Sequence, residues 1–467
     1  MQDSGVAFGT SGARGLVSQM SDEVCAAYTL AFLASQNLSH TGVQVALGMD
    51  LRPSSPRIVA ACAAAIRQAG CIPRFCGMLP TPALALFALE QQIPAIMVTG
   101  SHIPFDRNGI KFYRADGEIS KADETAITAA VVDLAALPSS PALPDADPSA
   151  LDRYLTRYQQ LFPADLLSGW RIGVYQHSSA ARDFLPVLLS NLGAEVIGLE
   201  RSDNFVPIDT EAVSEADYQR GQAWATAFKL NAIVSTDGDA DRPLIADETG
   251  HWLRGDIVGL LCAEFVGAHT VVTPVSCNTA IEASGLFKQV CRTRIGSPYV
   301  IAQMQQVQGP VAGFEANGGF LAGPGLQINA QALTALPTRD AVLPMVAIMA
   351  MARQQGKAIS ALLTDLPQRF TASDRLQHFA THLSQSLLAA LQTDANACQT
   401  LFGKEMGAIV HQDLTDGLRL SFSNGEIIHL RPSGNAPELR CYAEANSTIR
   451  ASQLVQNCLQ KLAASVA

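Results

Sequence analysis

Apolar runs and helical patterns alternate along the first half of this chain. Residues 43–48 and 93–98 are short apolar runs rich in branched side chains, a pattern typical of buried strands. A serine begins a helical pattern over residues 21–36, and an alanine-rich helix is predicted over 58–69. Strands and helices that alternate at this spacing predict a parallel α/β sheet.

The later parts of the chain also divide into units of predicted strands and helices, and this pattern changes near the C-terminal end. A Pro/Ser-rich linker over residues 138–148 predicts a domain boundary. Two further α/β units follow, and the last unit has short strand patterns before a C-terminal helix, which predicts an antiparallel α+β domain. We therefore predict three α/β domains with mixed sheets, then a smaller α+β domain, over residues 1–148, 149–254, 255–368 and 369–467.

Composition excludes several classes of protein. The chain has 467 residues and a formal charge of −10, which argues against a nucleic-acid surface. Its ten cysteines include no CxxC pair, so we expect reduced thiols, no zinc site and a cytoplasmic protein. The first residues lack a signal-peptide pattern, and the longest apolar stretch contains Glu264 and His269, so we expect no membrane span.

A polar loop follows the apolar run 93–98 and presents Ser101 at the carboxyl end of a buried strand. Ligands bind at that end of open α/β sheets. His102 and Lys111 lie within ten residues of this serine, and a glycine-rich segment near the N-terminus carries Arg14. Such a segment can fold closely around an anion. For Ser101, the alternative interpretation is a polar loop whose serine only caps a following helix.

Asp237, Asp239 and Asp241 alternate directly after the apolar run 232–235. Carboxylates this close repel one another unless a cation neutralises them, and Mg²⁺ prefers such oxygen ligands. An EF-hand loop would add Glu248, but Arg242 occupies its glycine position and the flanks resemble strands. A solvated acidic turn is disfavoured because the triplet directly follows a buried strand.

Two more loops carry candidate ligands. Glu315 and Asn317 precede paired glycines and could bind vicinal sugar hydroxyls, although a plain hairpin turn fits equally well. Near the C-terminus a hydroxyl, an amide, a flexible backbone and two arginines converge, which is typical of a phosphate clamp; a structural turn is the alternative. These residues are Arg431, Ser433, Gly434, Asn435 and Arg440.

These four loops, in this order and spacing, resemble those of the α-D-phosphohexomutase family, and the chain looks most like its bacterial phosphomannomutase members. The resemblance spans nearly the whole chain and implies four domains around one central cleft. It implies a phosphoryl group on Ser101, with Mg²⁺ held by Ser101, Asp237, Asp239 and Asp241. His102, Lys111 and Arg14 become candidates for proton handling and phosphoryl stabilisation. The implied substrate contacts are Arg242, Gly296, Glu315, Asn317, Arg431, Ser433, Gly434, Asn435 and Arg440.

The implied reaction interconverts hexose 6-phosphate and hexose 1-phosphate through a hexose 1,6-bisphosphate, which also serves as activator. Departures from the family pattern leave the sugar open: Asn317 replaces a serine, and Ser276 and Ser297 stand where relatives carry Lys or His. Mannose phosphate is favoured, with glucose or dual specificity as the alternative and glucosamine less favoured. A non-catalytic phosphosugar-binding protein and a phosphatase are the other hypotheses. We expect no nucleic-acid or membrane partner, and a monomer or homodimer.

Overall fold

The computed structural model describes residues 1, 4–9, 12–39, 41–134, 142–433 and 438–466. Within these ranges, four main β-sheets follow one another along the chain, three of them mixed and the last antiparallel. The predicted fold class is therefore confirmed. The boundaries near residues 148, 254 and 368 stay predictions. None of the helices in the described ranges has both the length and the apolar character needed to cross a bilayer.

The first domain contains a seven-stranded sheet in the order β1-β2-β6-β5-β3-β4, with β7 paired to β6. Its strands are β1 (Ala7–Phe8), β2 (Ala13–Leu16), β3 (Gln44–Met49), β4 (Ile72–Met78), β5 (Ala95–Val98), β6 (Arg107–Arg114) and β7 (Gly117–Glu118). Its helices are α1 (Asp22–Ser35), α2 (Ser55–Gln68), α3 (Thr81–Gln91) and α4 (Lys121–Ala129).

This first sheet is only partly parallel. Strands β3, β4 and β5 run parallel, but β6, β2 and β1 are antiparallel to their neighbours. This agrees with the mixed sheets predicted from the sequence, and β6 is antiparallel because residues 99–106 connect β5 to β6 directly. A parallel crossover needs a dozen or more residues, so this short loop allows only an antiparallel partner.

The second domain has a four-stranded sheet in the order β11-β10-β8-β9, in which β11 is the antiparallel strand. Its strands are β8 (Arg171–His177), β9 (Glu195–Arg201), β10 (Ala232–Thr236) and β11 (Pro243–Ala246). Its helices are α5 (Ser149–Leu161), α6 (Phe184–Asn191) and α7 (Glu215–Phe228).

The third domain has a five-stranded sheet in the order β13-β12-β14-β15-β18 and a β16–β17 hairpin. Its strands are β12 (Thr270–Pro274), β13 (Gln289–Thr293), β14 (Val311–Phe314), β15 (Phe320–Ala322), β16 (Gln327–Ile328), β17 (Gln331–Ala332) and β18 (Leu336–Asp340). Its helices are α8 (Gly255–Phe265), α9 (Ala280–Ala283), α10 (Ser297–Met304), α11 (Val342–Gln355) and α12 (Ile359–Thr364).

The fourth domain is an antiparallel sheet in the order β19-β23-β22-β21-β20, packed against helices. Its strands are β19 (Phe370–Leu376), β20 (Ile409–Asp413), β21 (Leu418–Phe422), β22 (Ile427–Pro432) and β23 (Leu439–Ala445). Its helices are α13 (Thr381–Thr393), α14 (Ala395–Met406) and α15 (Thr448–Val466).

The apolar cores follow a different division from the sheets. One continuous cluster contains side chains of the first three domains, among them Leu84, Tyr154 and Phe314. The fourth domain has its own cluster, built around residues such as Phe402 and Leu430, with members from that domain alone. Hydrogen bonds connect the third and fourth domains: the backbone N–H of Ile295 donates to Asp416 Oδ2 (2.9 Å), and that of Thr279 donates to Glu444 Oε2 (3.0 Å).

Candidate active site

Three of the predicted loops occupy equivalent places in three sheets. Residues 99–106, 237–242 and 315–319 each connect the last parallel strand to its antiparallel neighbour, β5 to β6, β10 to β11 and β14 to β15. Each loop therefore leaves the carboxyl end of a buried parallel strand, where ligands bind in such sheets. Side-chain contacts bring the three loops together into one site.

Ser101 is held in an unusual backbone conformation. Its φ is +55°, a left-handed value that costs a residue with a Cβ about 1–2 kcal/mol. Its N–H donates to Thr99 Oγ1 (2.8 Å), and the Thr99 hydroxyl donates to Asp50 Oδ2 (2.8 Å). Its own hydroxyl donates to Asp237 Oδ2 across 2.5 Å. The serine loop and the aspartate loop are thus in direct contact at the predicted nucleophile.

Arg52, which the sequence did not single out, holds this serine loop in place. The residue is 1% exposed, and its Nη atoms donate to four carbonyl oxygens, those of Ser101 (2.9 Å), Ile103 (2.5 Å) and Pro104 (2.7 Å) in the loop and that of Arg107 (2.9 Å) at the start of β6. Its Nε donates to Asp50 Oδ2 (3.1 Å). A Cβ on Gly100 would lie 2.5 Å from the guanidinium carbon, so glycine leaves room for this arginine.

The aspartate triplet has the geometry of a metal site. Asp237, Asp239 and Asp241 are buried, and each offers one oxygen, all three within 4.8 Å of one another. Lys111 Nζ donates to Asp239 Oδ2 (2.6 Å) and to Asp241 Oδ2 (2.7 Å). The Oδ1 atoms of Asp239 and Asp241 have no hydrogen-bond partner among the described residues. Buried carboxylate oxygens without partners fit a bound divalent cation.

The charge balance of the triplet supports the same conclusion. Burial, followed by repulsion from Asp239 and Asp241, raises the pKa of Asp237 well above its usual range. Burial also opposes ionisation of Asp241, but Arg339 and Lys111 hold its pKa well below its usual range. A cation between the carboxylates would relieve the repulsion that Asp237 experiences. The residues present therefore fit a metal ion.

Two arginines add positive charge beside the triplet. Arg242 Nε lies 3.7 Å from Asp241 Oδ1 and 3.9 Å from Asp237 Oδ2. Arg14, on β2, has a buried Nε without a hydrogen-bond partner in the described part of the chain. Burial, and then the charges of Arg242 and Arg339, lower the pKa of Arg14 to about 10. Crowded cations with free donors suit an anionic ligand such as a phosphoryl group.

His102 lies beside the nucleophile in a neutral state. Its Nδ1 is 3.4 Å from Ser101 Oγ. Burial, and then the charges of Arg242 and Arg14, lower the pKa of His102 to about 2. At neutral pH this imidazole is uncharged, and its low pKa makes it a weak base.

The third loop is tied to the same site through Arg339, a residue that the sequence analysis missed. Arg339 Nη1 donates to Glu315 Oε2 (3.1 Å), and its Nη2 donates to Asp241 Oδ2 (2.6 Å). Asn317 Oδ1 accepts the backbone N–H of Gly319 (2.9 Å), which shapes the turn. Glu315 and Asn317 are 4% and 6% exposed, so their polar atoms lie in a largely closed site.

The remaining predicted residues lie in other places. Gly296, at φ +131°, precedes α10, and the neighbouring Ser297 hydroxyl donates to Glu118 Oε2 (3.2 Å). Arg431 and Arg440 are directly opposite each other on β22 and β23. Arg431 Nε is 2.9 Å from Asp416 Oδ2, a carboxylate outside the loop. Ser433 is buried, whereas Gly434 and Asn435 lie outside the described residues.

Comparison with known proteins agrees with this arrangement. Family models described as "Phosphoglucomutase/phosphomannomutase" match in three places: alpha/beta/alpha domain I over residues 5–136, alpha/beta/alpha domain III over 254–370, and the C-terminal domain over 388–461. A phosphomannomutase of Salmonella muenchen is 51% identical over 464 residues, covering 98% of this chain and 96% of the relative. The chain belongs to the phosphoglucomutase/phosphomannomutase family. It is therefore a phosphohexomutase, an enzyme of the isomerase class.

Other relatives support the same assignment. A phosphomannomutase of Sinorhizobium fredii (strain NBRC 101917 / NGR234) is 45% identical over 475 residues, covering 99% of this chain and all of the relative. A solved phosphoglucomutase/phosphomannomutase family protein of Burkholderia thailandensis has a TM-score of 0.76 at 22% identity, with 97% of each chain covered. At that identity the structural likeness concerns the fold alone.

Proposed function

We propose that this phosphohexomutase interconverts mannose 6-phosphate and mannose 1-phosphate through a phosphorylated Ser101 and a hexose 1,6-bisphosphate. The observation that carries the proposal is the 2.5 Å contact between Ser101 Oγ and Asp237, next to two further aspartates with unpartnered oxygens. The two relatives named phosphomannomutase, at 51% and 45% identity, support mannose as the sugar.

In this proposal, Mg²⁺ is held by one oxygen each from Asp237, Asp239 and Asp241. When bound, it neutralises negative charge as the phosphoryl group moves. Lys111 donates to the Oδ2 atoms of Asp239 and Asp241, which leaves their Oδ1 atoms for the metal. Arg14 and Arg242 supply the donors that stabilise the transferring phosphoryl.

Two groups are placed to take the proton of Ser101 when the serine is phosphorylated. Asp237 Oδ2 already accepts that hydrogen bond, and the pKa of this buried carboxyl is raised. The neutral His102 ring lies 3.4 Å away, with its pKa lowered to about 2. Asp237 accepts the hydroxyl at 2.5 Å and His102 lies farther away at 3.4 Å, which favours Asp237 as the proton acceptor and leaves His102 to orient the hydroxyl.

The rest of the substrate would be held by loops outside the transfer centre. Glu315 and Asn317 would bind the 3- and 4-hydroxyls, which keep their places when the intermediate turns round. Arg431, Ser433 and Arg440, with Gly434 and Asn435 of the same loop, would hold the phosphate that is not transferred. None of these contacts reads C2, where mannose and glucose differ, so we expect activity on glucose phosphates as well.

A coupled assay of mannose, glucose and glucosamine 1-phosphates, with catalytic hexose 1,6-bisphosphate added, tests the proposal. We expect the isomeric 6-phosphate as product, fastest with mannose. Ser101→Ala should lose at least a thousandfold in kcat while still binding mannose 6-phosphate in a calorimeter, because the clamp lies in another domain. Release of inorganic phosphate instead of an isomer, or normal turnover by Ser101→Ala, would contradict the mechanism.

A further inference from the structure

Arg339 occupies a place that no catalytic step described so far explains. It is the fourth residue of β18, and its side chain is 2% exposed. Nε and Nη2 both donate to Asp241 Oδ2 (3.1 and 2.6 Å), while Nη1 donates to Glu315 Oε2 (3.1 Å). One planar guanidinium therefore joins a carboxylate of the aspartate triplet to the carboxylate of the neighbouring loop.

The surroundings are built to accept this side chain and to hold it still. A Cβ on Gly319 would lie 2.5 Å from Arg339 Cδ and 2.8 Å from Cγ, so the loop has glycine where the arginine passes. The next residue, Asp340, accepts the hydroxyls of Tyr154 (2.6 Å) and Tyr158 (2.5 Å) and the N–H of Val342 (2.9 Å). The base of the arginine is thus fixed to the shared apolar core.

We propose that Arg339 is a positioning residue that couples metal binding at the aspartate triplet to sugar recognition at Glu315. The part that concerns the sugar rests on the function proposed above. Because the phosphoryl donor and the sugar hydroxyls are held on different loops, their separation must be the same for both orientations of the intermediate. The planar guanidinium of Arg339, which binds both loops, fixes this separation, whereas the ammonium group of a flexible lysine side chain would not.

The proposed coupling predicts the direction in which a change at Glu315 alters the affinity for the metal. When Glu315 no longer competes for the guanidinium, Arg339 binds Asp241 alone, and a carboxylate held more firmly by an arginine is a poorer metal ligand. Glu315→Gln should therefore weaken metal binding although Glu315 is no ligand. If Arg339 only neutralises buried charge, Glu315→Gln changes the metal affinity through the lost charge of Glu315 alone. The size of that change then does not depend on Arg339.

A double-mutant cycle on the dissociation constant for Mn²⁺, measured calorimetrically without substrate, separates these two cases. The proteins are the parent, Glu315→Gln, Arg339→Met and the double variant. Glu118→Gln is the matched control, because the Glu118 carboxylate acts on Arg339 through its charge but accepts its hydrogen bonds from the hydroxyls of Thr338 and Ser297. We expect Glu315→Gln to raise the Mn²⁺ dissociation constant at least threefold more when Arg339 is present than when it is Met.

Equal effects in both backgrounds would overturn the proposal, as would an equally large Arg339-dependent effect of Glu118→Gln. Arg339→Lys provides the second cycle if the Met variant does not fold, since lysine keeps the charge but can span only one carboxylate. The Mn²⁺ cycle needs no turnover. A failure of the mutase assay would therefore refute the proposed reaction without altering this result, and additive Mn²⁺ constants would refute the coupling without altering the reaction.

Discussion

Replacing Arg52 by methionine removes the one side chain that joins four carbonyl groups in and beside the serine loop to Asp50. The substitution keeps an unbranched apolar stem, although a shorter one, and removes every donor. Ser101 would then lose the support that holds its left-handed φ of +55°. We expect both a less stable protein and a nucleophile that no longer points at the aspartate triplet.

The structure sets the size of both effects. Arg52 and Asp50 form an ion pair in which neither side chain has exposed surface. Removing one partner of such a pair costs about 3–5 kcal/mol, because a buried charge is left unpaired. A displacement of about 1 Å at the nucleophile can lower the rate on the order of 100-fold. Arg52→Lys should be intermediate, since an ammonium group has three donors for five oxygens.

Urea unfolding gives the change in stability, and intact-mass spectrometry after incubation with hexose 1,6-bisphosphate gives the rate of Ser101 phosphorylation. Arg57→Met is the matched control, because Arg57 lies on the same segment but is 42% exposed and pairs with Asp22 at the surface. We expect this control to keep the parent's phosphorylation rate. A parental rate in Arg52→Met as well would refute the view that the four carbonyl contacts position Ser101.

Three further changes have equally definite outcomes. Asp239→Asn should lower kcat by orders of magnitude and weaken the dependence on Mg²⁺, seen in a metal titration of activity; metal-independent activity of the parent would contradict it. Arg431→Ala should raise KM for mannose 1-phosphate and mannose 6-phosphate alike, by about ten- to a hundredfold, in initial-rate assays; a loss confined to one substrate would show that the clamp serves one orientation only. Burial lowers the pKa of His429 to about 4, below the unfolded value of about 6.5, so its contribution to stability is complete above pH 6.5 and is lost as the pH falls toward 4. Urea unfolding should show this loss, roughly 2 kcal/mol at pH 5, and His429→Gln should reduce it; an unchanged pH dependence would contradict the assignment.

The serine and aspartate loops could be located from sequence because their chemistry is local. Ser101 and the triplet each follow a buried apolar strand within a few residues, so residue type and position together indicate a site. The same logic gave the α/β fold class, since strands and helices alternate clearly. It gave no prediction for the direction of β6, because the pattern of a strand does not reveal its partner and only the shortness of the serine loop decides it.

The two missed arginines have no such local pattern. Arg52 acts through backbone carbonyls, which carry no residue type and therefore leave no motif. Arg339 bonds to Asp241, 98 residues earlier, and to Glu315, 24 residues earlier. Such contacts depend on how β18 packs beside β15, which local periodicity cannot supply. Asp416 was missed for the same reason, because its partner Ile295 lies 121 residues away.

The separate apolar core of the fourth domain has a thermodynamic consequence. The described hydrogen bonds that join this domain to the third, such as those of Asp416 and Glu444, can each be replaced by bonds to water. An outward movement of the domain would leave both apolar clusters intact, so its heat-capacity change should be far smaller than that of global unfolding. The enthalpy of such a movement would therefore vary little with temperature. Arg431 and Arg440, the proposed phosphate contacts, would travel with their domain while Ser101 and the three aspartates stay with the first three domains.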